Sequence, residues 1–275
     1  MNKFIYFLSL FICLQSSSQE LEIMSYNIKY ANENDGENSW SKRKDFLTNQ
    51  LKYYEPDIIG IQEAVIGQLK HITSEIDTYA YVGVGRDDGK QKGEYSAILY
   101  NTRKFKVLDS KTFWLSETPE KVSVGWDAAM ERICTYALFI DEKTDREFWV
   151  FNTHFDHIGE EARAQSTKLI LKKISEINSH KLPVVLTGDF NLEPDSDPIL
   201  DLKRSLKDSR TSATQVSFGS EGTFNGFNFG AQVTRRIDYI FVSPEVKVLK
   251  YGALSDSKDL KYPSDHFPII SLISF

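Results

Sequence analysis

Cysteine is almost absent: the 275 residues hold two, Cys13 and Cys134, too few for a framework of several disulfides. Long apolar runs are missing as well. The stretch from Phe4 to Leu14 is too short to cross a bilayer, and nothing later comes closer, so stable membrane insertion is not expected. A basic surplus is lacking: 33 Lys and Arg stand against 39 Asp and Glu, a net charge of −6. Duplex DNA binding draws affinity from counterion release by basic side chains, so the balance argues against a dedicated nucleic-acid binder. The basic residues are dispersed in pairs such as Lys172-Lys173 and Arg235-Arg236, with no aromatic-interleaved basic stripe for single strands. No residue-level repeat and no linker-like break in composition appear either. One domain is therefore expected, of ordinary globular make-up with 41% apolar and 26% charged residues.

The amino terminus has the layout of a secretory signal: Lys3, the apolar run Phe4 to Leu14, then Gln15-Ser16-Ser17-Ser18. Residues 1–18 are read as a signal peptide and 19–275 as the mature domain, which would be periplasmic or secreted. A lipoprotein reading at Leu10-Phe11-Ile12-Cys13 is weaker, because bulky Ile12 stands where a small residue is expected. Cleavage removes Lys3, the one charged residue in that stretch, and moves the net charge from −6 to −7. It also removes Cys13, leaving Cys134 without an intrachain partner. Within Ile133-Cys134-Thr135-Tyr136, that thiol reads as a buried strand residue.

Against these absences stand six short polar clusters, each closing an apolar, β-rich run. They are Ser25-Tyr26-Asn27, Ile61-Gln62-Glu63, Asn152-Thr153-His154, Gly188-Asp189-Phe190-Asn191, Arg236-Ile237-Asp238 and Ser264-Asp265-His266. Carboxylates, amides and imidazoles are costly to gather in a low-dielectric place unless a metal or phosphate organises them. A set rich in Asp, Glu and Asn, without thiolate, suits a hard cation such as Mg²⁺, with Mn²⁺ as a substitute. Each cluster alone has a plain alternative. Glu63 could be an acid at a helix N-terminus, Asp189 and Asn191 turn formers before Pro194, and Asp265-His266 a turn before Pro268. Six in this order point to phosphate ester hydrolysis.

Periodicity places the clusters. Strands are expected over Leu21–Tyr30, Asp57–Gln62, Tyr79–Val84, Tyr95–Tyr100, Phe105–Trp114, Arg132–Ile140, Phe148–Thr153, Leu182–Thr187, Ile237–Val242 and Ile269–Ile273. Helices are expected over Ser41–Tyr54, Ala64–Glu75 and Glu160–Asn178, with polar loops at Gly85–Gly93 and Gly219–Gly230. Asn27, helix, strand, Glu63 spans 36 residues; His154, helix, strand, Asp189 spans 35. The two halves share an architecture that would bring strand ends into one cleft.

With these motifs the chain resembles the endonuclease/exonuclease/phosphatase superfamily of metal-dependent phosphoesterases, from Ser25-Tyr26-Asn27 through Ser264-Asp265-His266. The resemblance implies a four-layer α/β sandwich of the deoxyribonuclease I-like kind, two packed central β-sheets flanked by helices, with the site in the cleft between the sheets. It implies Glu63 as the main metal carboxylate, completed by Asn27 and Asp265 directly or through waters. It implies that Asp189 orients or deprotonates the attacking water and that Asn191 holds the scissile phosphate. His266, oriented by Asp238, and His154, paired with Glu94, would donate to phosphate oxygens. A carboxylate beside each imidazole would keep it protonated near neutrality. Arg132 resembles a phosphate-contacting arginine. The family position of Lys42-Arg43-Lys44 puts that basic run on a helix outside the cleft.

Two segments depart from the best-known nucleases. Asn152-Thr153-His154-Phe155-Asp156-His157 carries an extra Asp and His. Phe113–Pro119 with Gly125–Ala129 forms a Trp-rich insert holding Trp114 and Trp126. Both resemble extracytoplasmic bacterial members of the superfamily. His157 is a substrate contact, a second metal ligand or an ordinary loop histidine; Trp114 and Trp126 are anchors or substrate stackers, with Trp126 taken as the substrate candidate. Asn225, Phe227 and Asn228 either line the cleft or turn the chain. The expected protein is an exported, monomeric Mg²⁺-dependent hydrolase of small or carbohydrate-linked phosphate esters. The alternatives are a secreted endonuclease or 3′–5′ exonuclease and a catalytically inactive phosphoester-binding protein; retention of every metal, base and imidazole position argues against the last.

Overall fold

A computed structural model describes residues 20–275; the expected signal peptide falls outside them. The chain opens with β1 (Glu20–Asn27), a 3₁₀ turn (Glu33–Asn38), α1 (Trp40–Tyr54), β2 (Ile58–Ala64), α2 (Ile66–Glu75), β3 (Tyr79–Val82) and β4 (Tyr95–Asn101). It continues through β5 (Phe105–Trp114), β6 (Ile133–Asp141), β7 (Glu147–His154), α3 (Glu160–Ile177) and β8 (Val184–Asp189). Then follow α4 (Asp197–Ser205), β9 (Lys207–Asp208), α5 (Ser209–Ser212), β10 (Val216–Gly219), β11 (Asp238–Val242), β12 (Lys247–Ala253) and β13 (Ile269–Ser274).

The described strands form two sheets, ordered β10-β12-β13-β1-β2-β4-β3 and β5-β6-β7-β8-β11-β9. Each sheet has one central parallel pair, β1 with β2 and β7 with β8, joined across α1 and α3; their other pairings are antiparallel apart from β10 with β12. Strand alternation sorts side chains into three cores. Met24, Tyr26, Ile59 and Ile61 turn outward onto Leu47 and Leu51 of α1 and Leu69 and Ile72 of α2. Trp149, Phe151, Leu186 and Phe241 turn outward in the other sheet onto Ile170 of α3 and Ile199 and Leu202 of α4. Cys134 lies in that second outer core, fully buried, and burial pushes its thiol pKa up. Between the sheets Leu21, Ile23, Ile58, Val150, Val185 and Ile240 pack together. Helix, sheet, sheet, helix is the four-layer order.

The inner faces change character along the strands. Leu21 and Ile23 are followed at the same parity by Ser25 and Asn27; Phe148 and Val150 by Asn152 and His154; Val185 by Thr187 and Asp189. Midway, Asn152 Nδ2 donates across the sandwich to the Ile61 and Ala97 carbonyls, both at 2.8 Å. Its Oδ1 accepts from Gln62 Nε2 at 2.7 Å and Thr187 Oγ1 at 3.0 Å. A satisfied buried amide such as Asn152 fixes one register between the sheets. Gly60 lets them meet there, since a Cβ would stand 2.0 Å from Thr187 Oγ1.

Candidate active site

Above the amide layer the strand ends open into a cavity of about 340 Å³. Glu63, Glu94, Arg132, His154, His157, Asp189, Asn191, Asp265 and His266 of the sequence-predicted residues all line it, together with Lys29 and Arg235. Asn27 and Asp238 lie immediately behind, bonded to members of that wall.

Glu63 reaches the cavity through an irregularity in β2, where register shifts between Ile61 and Ala64 and Glu63 takes φ +63°. Lys29 (φ +54°) and Asn191 (φ +50°) are left-handed too. Such residues cost on the order of 1 kcal/mol each and persist where surroundings over-determine them. Here the Asn191 N–H donates to Asp189 Oδ1 at 2.9 Å, and its side chain donates to the Phe155 carbonyl at 3.0 Å. Asn27 Nδ2 donates to Glu63 Oε1 and Asp189 Oδ2, both at 3.0 Å, tying the two acids of opposite sheets together. Its Oδ1 accepts from the Lys29 N–H at 3.0 Å.

Burial alone would raise the Glu63 pKa, but Lys29, Asn27, His266 and the Tyr30 N–H outweigh it and hold the carboxyl below its usual range. Burial raises Asp265. Asp189 is pushed up to about 7 by burial and then by Asp238. His266 Nδ1 lies 2.9 Å from Asp238 Oδ2 and its Nε2 3.7 Å from Asp189 Oδ2. Burial opposes its charge, yet Asp238, Asp189 and Asp265 prevail and hold the pKa at about 10. The Asp238 pairing expected for His266 is present. Asp189, Asp238 and His266 also offer ligand atoms within 4.8 Å of one another, close enough to hold a metal ion.

The pairing expected for His154 is not. Glu94 gives both oxygens to Arg86, at 2.8 and 3.1 Å, and burial raises its pKa. His154 Nε2 instead lies 3.2 Å from Asn191 Nδ2 and 3.5 Å from Asp189 Oδ2. Burial, then Arg132 and Arg86, drive its pKa well below 6.5, against the cationic form the sequence suggested. A neutral ring can accept the Asn191 amide hydrogen.

The extra Asp and His beyond His154 serve Arg132. Asp156, 1% exposed, accepts from Arg132 Nε at 3.2 Å while its Oδ1 takes the Ile158 and Gly159 N–H groups at 2.9 and 2.8 Å. His157 Nδ1 stands 3.0 Å from Arg132 Nη2. Trp126 is elsewhere: it lines a separate hollow against Lys168, Lys172 and Lys173 of α3, which removes it from the substrate candidates. Trp114 is an anchor, donating from Nε1 to the Arg86 carbonyl at 2.8 Å. Asn225 turns the 219–230 loop, with Nδ2 on the Ser264 carbonyl and Oδ1 on the Phe227 N–H.

Sequence reading gave no role to Lys29 or Arg43. Lys29 Nζ sits 3.8 Å from Glu63 Oε2 and 3.7 Å from Asp265 Oδ2. Arg43 is not on an outer surface: it is 4% exposed and donates to the carbonyls of Ile28, Lys29, Tyr30, Asn38 and Pro263. It thereby ties the segment after Asn27 to the segment before Asp265. A charged residue in an amphipathic helix reads as solvated, so only the tertiary fold reveals this one.

The geometry agrees with comparison to known proteins. A protein of the endonuclease/exonuclease/phosphatase family from Bacteroides thetaiotaomicron is 40% identical, with a TM-score of 0.90 over 94% of this chain and 98% of that one. A mannosyl-6-phosphatase from Bacteroides thetaiotaomicron VPI-5482 is also 40% identical, with a TM-score of 0.89 over 93% and 100%. A probable RNA exonuclease from Saccharomyces cerevisiae is 29% identical over 221 residues, 71% of this chain and 42% of that protein. The chain spans 60% or less of the length of the curated relatives it matches. Residues 24–266 match the model of the Endonuclease/Exonuclease/phosphatase family, and the chain belongs to that family.

Proposed function

We propose that the chain is an exported, divalent-cation-dependent hydrolase of small or carbohydrate-linked phosphate esters. The observation that carries this reading is the convergence of Glu63, Asp265, Asp189, Asn191 and His266 on one cavity of about 340 Å³, small-molecule size. Glu63, near the end of β2, and Asp265, in the loop before β13, both approach the Lys29 ammonium, at 3.8 and 3.7 Å, with His266 adding positive charge nearby. Two carboxylates around a point of positive charge, with no sulfur, fit Mg²⁺ or Mn²⁺. His266 is the poorer ligand, since a protonated imidazole paired to Asp238 has no lone pair to give. When bound, the cation would neutralise charge on the phosphate oxygens.

The chain's own groups supply the rest. Asp189, with its raised pKa, is suited to take a proton from water as that water attacks phosphorus in line. Cationic His266 donates to a phosphate oxygen, and Arg132, clamped by Asp156, offers a second positive contact. The cavity wall mixes Lys29, Arg132 and Arg235 with Glu63, Glu94, Asp189 and Asp265, a near-neutral lining unlike the basic track a nucleic acid strand needs. The mannosyl-6-phosphatase at 40% identity supports a sugar phosphate. The RNA exonuclease relative keeps a secreted nuclease as the second reading.

Assays of p-nitrophenyl phosphate, bis-p-nitrophenyl phosphate, hexose 6-phosphates, poly(A) and plasmid, each with Mg²⁺, Mn²⁺ or EDTA, decide between them. We expect EDTA to abolish turnover and small esters to exceed nucleic acids by at least about tenfold in kcat/KM. Nucleic acid hydrolysis in excess would establish the second reading. Ligand binding without turnover on any substrate would leave a binding protein.

A further inference from the structure

We propose that Lys29 is a tethered counter-ion for the divalent-cation position: its ammonium closes the gap between Glu63 and Asp265 and swings into the cavity when the ion enters. The inference rests on the reading that Glu63 and Asp265 hold that ion. Three observations carry it.

The ammonium stands 3.8 Å from Glu63 Oε2 and 3.7 Å from Asp265 Oδ2. Both distances exceed a formed hydrogen bond, so the charge compensates the two acids without being locked to either. Moving it breaks no strong contact.

The backbone beneath it is fixed. The Lys29 N–H donates to Asn27 Oδ1 at 3.0 Å, and the Lys29 carbonyl accepts from Arg43 Nη2 at 2.6 Å and Gln68 Nε2 at 2.9 Å. These bonds hold the residue at φ +54°, a conformation a lysine does not choose unaided. The fold thus aims this side chain at the acid pair while leaving it 25% exposed at the cavity.

The acids would stay in place without it. Glu63 is held by Asn27 and by the Tyr30 N–H at 3.2 Å; the Asp265 backbone is held by the Asn225 N–H at 2.8 Å and its carboxylate accepts from Ser264 Oγ at 3.4 Å. Lys29 Nζ also lies 4.7 Å from the centre of the Tyr30 ring, which lines the cavity, a cation–π contact the ammonium can keep as it leaves the acids.

The test is Mn²⁺ titration by calorimetry on the whole chain, comparing wild type with Lys29→Met, Lys29→Gln and Lys29→Arg. Removing a competing unit charge from beside both carboxylates should tighten Mn²⁺ binding by at least about tenfold in the Met and Gln variants. The Arg variant should stay within about threefold of wild type, because the charge is retained. Thermal unfolding gives a second readout. Without metal the Met variant should melt below wild type, and Mn²⁺ should raise its Tm by more. Equal or weaker binding by both neutral variants overturns the counter-ion role and leaves the cation position standing. Binding by neither wild type nor variants overturns both. A Lys29→Met change that raises KM alone, with metal affinity unmoved, also overturns it and makes Lys29 a plain phosphate contact.

Discussion

The two βαβ units at the heart of the sandwich are built alike and tuned in opposite directions. In one, β1 and β2 run parallel across α1 and deliver Asn27 and Glu63; in the other, β7 and β8 run parallel across α3 and deliver His154 and Asp189. Both acids sit at strand ends, Glu63 partly buried and Asp189 fully so. Glu63 faces Lys29, the Asn27 amide and a backbone N–H, and its pKa falls. Asp189 faces Asp238 as well as burial, and its pKa rises to about 7. Two carboxylates whose surroundings drive their pKa values apart take different jobs. In the proposed reaction the low one stays ionised to hold a cation, and the high one is poised to move a proton.

Substitutions can break that contrast. Asp189→Asn should have the largest effect, lowering kcat by about 10²–10⁴-fold, since a general base is removed. Mn²⁺ affinity should change by less than about threefold, and equal losses in both quantities would merge the two roles. Glu63→Gln should show the reverse pattern, weakening Mn²⁺ binding by about 10–100-fold while kcat at saturating metal recovers most of its value. Titration calorimetry beside steady-state kinetics separates the cases. Asp156→Asn sharpens the picture of the second unit: loss of the Arg132 clamp should raise KM by about tenfold with kcat held within about threefold, the size of one charge-assisted hydrogen bond. A fall in kcat alone would place Arg132 at the transition state.

Much of this was legible in the sequence because strand alternation is a strong signal. Inner positions of β1, β7 and β8 run from apolar to hydroxyl or amide to the amide, imidazole or carboxylate of the site, so the polar clusters announce the strand ends themselves. Other elements were not foreseen. β12 carries a register shift between Val248 and Lys250, which breaks the period of two along Val248, Tyr251 and Ala253. The short α4 and the small strands β9 and β10 lie where polar residues dominate. At the site, the partner of Glu94 could not be read, because Arg86 reaches it only through the path of the 85–93 turn. Asp127 was equally silent; its carboxylate accepts the Ala162 and Glu161 N–H groups at 2.7 and 3.3 Å and so caps α3 from 35 and 34 residues away. Helix capping is usually local, and this one is tertiary. The Trp-rich insert is therefore fastened to the helix that backs the second sheet.

Gly60 has a consequence for how this scaffold can change. The two plates of the sandwich touch there with no room for even a methyl group. Any side chain at that point would act as a shim, tilting one plate against the other and separating Glu63 from Asp189 at the rim. New specificities are thus confined to the loops around the mouth, where residues such as His157 and Arg235 can be exchanged while the spacing of the acids stays constant.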